Sequence, residues 1–200
     1  MKDYPSSKIR NIALVGHGGT GKTSLAEAMI FNTGAIKRLG KVDDGNTVAD
    51  FYPEEIKKKI TISTSLVPCE YREHKINLLD TPGYADFYSE VVSALRAVDS
   101  MLVMLSATAG VEVQTEIVWN DYPSVPKIAF INKMDRENAD FYKTLNEMKE
   151  IFTDNIVPVQ LPIGAESSFK GVVDLIQMKA LIFEGQTGKI AIEEISSIST

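Results

Sequence analysis

The sequence predicts an α/β domain of the P-loop NTPase type, a mostly parallel sheet with helices on both faces. Three observations predict it. The apolar strand Ile9–Val15 runs into Gly16–Thr23, which matches G-x-x-x-x-G-K-[ST], and a stretch of helical character follows at 24–31. Beyond that loop, strand-like and helix-like segments alternate, the pattern of parallel sheets whose crossovers are helices. Asp80-Thr81-Pro82-Gly83 and Asn132-Lys133-Met134-Asp135 each follow the end of an apolar strand, where such sheets hold ligands.

In chain order, Ile9, Ile12, Ala13, Leu14 and Val15 make a buried first strand. After the first helix, residues 34–60 form a long polar connection rich in Gly, Asp and Lys, a length that marks a functional or mobile segment. Residues 61–71 and 75–79 read as paired strands turning at Arg72-Glu73-His74. Residues 86–98 are helical, with Phe87, Val91, Ala94, Leu95 and Val98 on one apolar face. A strand at 100–105, a helix at 111–120, a strand at 127–131 and a helix at 140–152 continue the alternation. Residues 156–163 fit a sixth core strand, and 171–184 and 189–195 fit further strands around a Gly185/Gly188 turn. The end, Ser196–Thr200, supplies no helix to close a domain, so the chain reads as cut from something longer.

The chemistry follows from residue types at fixed spacing. Gly16, Gly18, Gly19 and Gly21, with His17 and Thr20 between them, let the backbone curl and turn its N–H groups toward a polyphosphate. The helix N-terminus at Lys22, Thr23 and Ser24 adds partial positive charge. Lys22 reaches β- and γ-phosphates, and the Thr23 hydroxyl suits Mg²⁺. Asp80 fits the same cation through water, and the Gly83 N–H fits a γ-phosphate. Asp135 offers two acceptors to guanine N1–H and its exocyclic amine, a donor pair adenine lacks. Lys133 has a stem to lie across the base, and Asn132 suits tying this loop to the phosphate loop. Thr61, after the long polar segment, is placed to complete the Mg²⁺ shell when a γ-phosphate is present. The expected ligands are therefore GTP or GDP with Mg²⁺.

The 200 residues are 44% apolar and 24% charged with net charge −6, an ordinary globular balance that argues against broad nucleic-acid coating. Cys69, the one cysteine, excludes an internal disulfide and fits a reducing compartment. The first residues lack a signal peptide's apolar core, and no apolar run reaches membrane-span length, so a cytoplasmic, monomeric chain without membrane contact is expected. His17 and His74 lack metal-ligand spacing, and Lys57-Lys58-Lys59 reads as a solvated surface, with an RNA contact as the lesser reading.

These motifs resemble the N-terminal GTPase domain of the elongation factor G family of translational GTPases. The resemblance covers nearly the whole chain: Lys22-Thr23, Ile60-Thr61-Ile62, Asp80–Gly83, Ala109-Gly110-Val111-Glu112 with Gln114, Ile128–Arg136, Gln160–Glu166 and Gly171–Ile176. It implies Mg²⁺-dependent GTP hydrolysis coupled to the ribosome, with Lys22, Thr61 and residue 84 as catalytic positions. It also implies a GTPase core at 8–155, incomplete on its C-terminal side. Residues 156–200 then begin an insertion subdomain rather than a sixth core strand. Three departures from the family pattern point to a divergent paralogue. Tyr84 stands where the family has His, Gly18 and Gly19 replace a branched apolar residue and Asp, and Lys58-Lys59 replaces Arg-Gly. Tyr84 is read either as a water-orienting or switch-closing residue, or as a packing aromatic.

Overall fold

The strand β1 (Ile9–Val15) is the middle of a five-stranded sheet. On one side it pairs in parallel with β3 (His74–Asp80), which pairs antiparallel with the edge strand β2 (Ser65–Tyr71). On the other it pairs in parallel with β4 (Ser100–Ser106), and β5 (Lys127–Asn132) completes the order β2-β3-β1-β4-β5. Ala13, Leu14 and Val15 are fully buried, as a central strand covered on both faces requires. The register pairs Leu14 with Asp80, bringing the Asp80 carboxylate beside the strand end that feeds the phosphate loop.

This computed structural model describes residues 2–153, 155–185 and 189–195. The chain forms two compact units, Met1–Leu105 with Glu112–Phe130 and Ser106–Val111 with Ile131–Thr200. In the first, α1 (Lys22–Asn32) buries Ile30 against Ala49, Val67, Cys69 and Leu78. That unit also holds α2 (Pro53–Lys58), α3 (Tyr88–Leu95) and α4 (Val113–Asp121). In the second unit, α5 (Phe141–Ile151) starts at Asp140, whose side chain accepts from the Lys143 N–H. A separate antiparallel sheet follows, β6 (Gln160–Ile163), β7 (Gly171–Asp174), β8 (Lys179–Glu184) and β9 (Lys189–Glu194), consistent with an inserted subdomain.

The structure refines several expectations. Residues 61–64 are not strand: Ile62 and Ser63 give their N–H groups to the Glu55 carboxylate and Thr64 gives its own to Glu90, so no ladder is needed. The hairpin turn is Arg72-Glu73 alone, both left-handed, with Tyr71 paired to His74. The connection 34–60 contains a 3-10 turn, Val42–Asp44, and α2, started by Pro53 at its first position. Residues 85–87 form a 3-10 turn, and α3 begins only at Tyr88; Val91, Ala94 and Leu95 are its buried face. Residues 156–163 contribute only β6, which pairs with β7 and adds nothing to the central sheet. The stretch 171–184 is two strands, broken where the Asp174 carboxylate accepts from the N–H groups of Ile176 and Gln177. Gly188 of the expected turn and residues 196–200 lie outside the described residues. Among the described residues no helix is long and apolar enough to cross a membrane.

Candidate functional site

The first unit concentrates the phosphate-binding candidates around one cavity of about 190 Å³. Gly18, Gly19, Gly21, Lys22, Thr23, Ser24, Thr61, Gly83 and Tyr84 line it, with Asp50 among them. The loop has its shape for two reasons. Gly16 is left-handed (φ 130°), and a Cβ there would lie 2.4 Å from the Met104 carbonyl oxygen, so the loop lies hard against β4. Gly19 and Gly21 have φ of 77° and 99°, which L side chains disfavour. Gly21 is the N-cap of α1 and no side chain caps that end, leaving first-turn N–H groups for a ligand. Thr20 hydrogen-bonds the His17 carbonyl, and the His17 N–H donates to Thr115. The His17 ring stands 3.5 Å from Glu112, which makes it a brace of the loop.

Lys22 is buried and donates to the carbonyls of Gly16 and His17 at 2.9 and 2.8 Å. An ammonium has three donors, so one is left to meet an anion. Burial lowers its pKa, opposed by the charges of Asp80 and Glu112. An anionic ligand would reverse that cost. Gly83 presses on the same loop: a Cβ there would lie 2.5 Å from Lys22 Nζ and 2.6 Å from the Gly18 nitrogen.

Four buried oxygen-bearing side chains run in series beneath Lys22. Thr23 donates to Asp80 (2.7 Å), Thr61 donates to Asp50 (2.8 Å), and the two hydroxyl oxygens are 3.1 Å apart. Each hydroxyl has one proton, already given to a carboxylate. With both acids ionised, lone pair therefore faces lone pair between Thr23 and Thr61. The other Asp80 oxygen, Oδ1, is buried without a hydrogen-bond partner. Burial raises the pKa of both acids, against the downward pull of their threonine partners and, for Asp80, of Lys22. A hard cation relieves all three features, so the residues fit Mg²⁺. Among the described residues no group of three or more His, Cys, Asp or Glu is gathered to hold a metal, so hydroxyls, water and phosphate would complete such a shell.

Asp50, Glu55 and Glu27 escaped the sequence reading. Glu55 is fully buried, accepting from Tyr52, Ile62 and Ser63 N–H groups. Glu27 on α1 accepts from Gly40 and Val48 N–H groups. These carboxylates, together with Ala49 buried against Ile30, Val67 and Leu78, hold residues 40–63 in place. The Pro53-Glu54-Glu55 run, a helix-start signature, was the available signal for Glu55.

The second unit carries the base-selecting candidates, built separately. Lys133 is left-handed (φ 63°), which turns the chain sharply after β5. The Met134 side chain plugs a core with Ala107 and Ala139, while Asp135 stays exposed. The Asn132 carbonyl accepts from Ala107, and the Met134 carbonyl accepts from Glu166, whose carboxylate accepts from Asn138. The tetrapeptide is thus anchored by Met134 and leaves the Asp135 carboxylate free to face a ligand.

Comparison with known proteins finds similar chains among elongation factors. Elongation factor G from Granulibacter bethesdensis is 45% identical over 180 residues, 89% of this chain and 26% of its own length. Elongation factor G from Thermotoga maritima is 43% identical over 185 residues, 92% of this chain and 27% of its own. A crystal structure of a Thermus thermophilus protein matches with a TM-score of 0.88 at 37% identity, over 95% of this chain and 28% of that one. This chain therefore spans little more than a quarter of the relatives it matches. The family model for the elongation factor Tu GTP binding domain matches residues 7–194, and the chain belongs to that family of translational GTP-binding domains.

Proposed function

We propose that this chain is the guanine-nucleotide domain of a larger translation factor, binding GTP or GDP with Mg²⁺ and hydrolysing GTP when the full-length protein docks on the ribosome. The observation that carries the reading is the series Asp50–Thr61–Thr23–Asp80, which joins the end of the long connection to the phosphate loop through buried side-chain oxygens. In this role the amides from Gly16 to Ser24 cradle the polyphosphate, and Lys22 neutralises β- and γ-oxygens. Thr23, Thr61 and, through water, Asp80 hold the cation, which when bound offsets charge developing on the γ-phosphate. The Gly83 N–H meets the γ-phosphate. Once that phosphate leaves, Thr61 loses its reason to stay beside Thr23, and the connection is released as a switch. Asp135 accepts from guanine, with Lys133 across the base and Asn132 bracing the loop. Residues 8–155 form the core and 156–200 open the inserted subdomain.

Tyr84 orients the attacking water or closes the switch. A second reading, a GTP/GDP-sensing switch with little hydrolysis, draws on the same residue, because a phenol lacks an imidazole's change of charge near neutrality. Calorimetric titration of the full-length protein with GDP, GTP and ATP in Mg²⁺ tests the binding, and ATP bound as tightly as GDP rejects it. Turnover with ribosomes tests hydrolysis: stimulation is expected, and its absence favours the sensing switch. In Tyr84→His, a large gain in stimulated turnover favours the sensing switch, whereas no gain or a loss favours a competent phenol.

A further inference from the structure

We infer that Gly18 and Tyr84 are a matched steric pair, in which the Tyr84 ring supplies an apolar cover over the phosphate loop and Gly18 makes room for it. The inference rests on the nucleotide reading above and assigns Gly18 a role of its own.

The glycines of the loop differ in what demands them. Gly19 is left-handed, and a Cβ there would meet nothing within 4 Å, so backbone conformation is its reason. Gly18 shows the reverse: its backbone is not left-handed, but a Cβ would lie 2.7, 2.9 and 3.0 Å from Cζ, Cε2 and Cε1 of Tyr84. Three atoms of one rigid ring occupy the space of the missing side chain. A flexible side chain would yield; a phenol yields only by rotating as a whole or by moving its backbone. The neighbouring residue is tightly placed as well: a Cβ on Gly83 would lie 2.5 Å from Lys22 Nζ and 2.6 Å from the Gly18 nitrogen. The ring lines the cavity that also holds Lys22, Thr23 and Thr61, while 41% of the residue stays exposed. It stands as a lip between the phosphate site and solvent, where an apolar group excludes competing water. Tyr84 and Gly18 are thus positioning residues acting together, and the glycine at 18 answers to the tyrosine at 84 rather than to the phosphates.

A double-mutant cycle in the full-length protein tests the pair. In the nucleotide-free protein, Gly18→Ala should raise hydrogen exchange in residues 83–87 by about tenfold, while in a Tyr84→Ala background it should change exchange by less than about twofold. With ribosomes, Gly18→Ala and Tyr84→Ala should each lower kcat by about tenfold with KM within about twofold, and the double variant should be no worse than either. Equal effects of Gly18→Ala with and without the tyrosine ring would overturn the pair, as would no effect of Gly18→Ala at all. If the wild type binds no guanine nucleotide, the nucleotide reading fails while the exchange cycle still decides the pair.

Discussion

The hydroxyl oxygens of Thr23 and Thr61 are 3.1 Å apart, and each hydrogen-bonds a different buried carboxylate. Thr61→Ala removes the one hydroxyl that Asp50 accepts from and leaves that acid buried, an imbalance of about 1–3 kcal/mol. The full-length variant should keep its GDP affinity, lose about tenfold in Mg²⁺-dependent affinity for a non-hydrolysable GTP analogue, and exchange amide hydrogens faster across 47–64. Calorimetry and mass-resolved hydrogen exchange measure both; equal losses for GDP and the GTP analogue would sink the shared-cation assignment.

Glu55 organises the residues on either side of α2. Glu55→Ala strands the N–H groups of Tyr52, Ile62 and Ser63, each about 1–3 kcal/mol if it stays dry. The expected result is a loosened connection and faster proteolytic nicking between 40 and 63, with the central sheet unaffected. Glu55→Gln keeps an acceptor oxygen and should recover part of the resistance. A limited-proteolysis time course distinguishes the two variants.

Gly16 and Gly19 should respond to alanine differently. At Gly16 the new Cβ meets backbone, the Met104 carbonyl, which cannot step aside, so Gly16→Ala should cost about 3 kcal/mol or more. Gly19→Ala enters open space and pays only left-handed strain, about 1–2 kcal/mol. Denaturant melts of both variants give the comparison, and equal costs would contradict the packing of the loop against β4.

Asp135→Asn places an amide donor where guanine's exocyclic amine points. GDP affinity should fall by about a hundredfold, and xanthosine diphosphate, with a carbonyl there, should gain. Competitive titration reads the exchange of preference, and unchanged GDP affinity would remove Asp135 from the base site.

Asp174 stabilises the turn after β7 more strongly when ionised than when protonated. Backbone N–H donors, Gln177 first, hold its carboxyl below the usual carboxylate range, helped by Gln160 and Ile176. A lowered acid pKa means stability that is complete above the unfolded value and lost as pH falls through the folded one. Exchange in residues 171–184 should therefore accelerate on going from about pH 6 to about pH 3, and Asp174→Asn should flatten that dependence.

Much of this was legible in the chain. Lys22, Thr23, Asp80 and Asp135 stand in local motifs whose chemistry depends on spacing, so strand, loop and ligand class follow from the order of residues. Asp50 and Glu55 were not legible, because a carboxylate in a polar stretch looks solvated until the fold buries it, and Glu27 on α1 gave no sign that distant backbone amides of Gly40 and Val48 would reach it. The strand expected at 61–64 failed for the same reason: those N–H groups found acids instead of a neighbouring strand. Read alone, residues 156–163 fit a sixth core strand while the family resemblance points to an inserted subdomain; β6 pairs with β7 in a separate antiparallel sheet, as the resemblance implies. Gly18 is the sharpest case. Its residue type was visible as a departure, but its cause, an aromatic ring far along the sequence, exists only once β1 and β3 lie side by side.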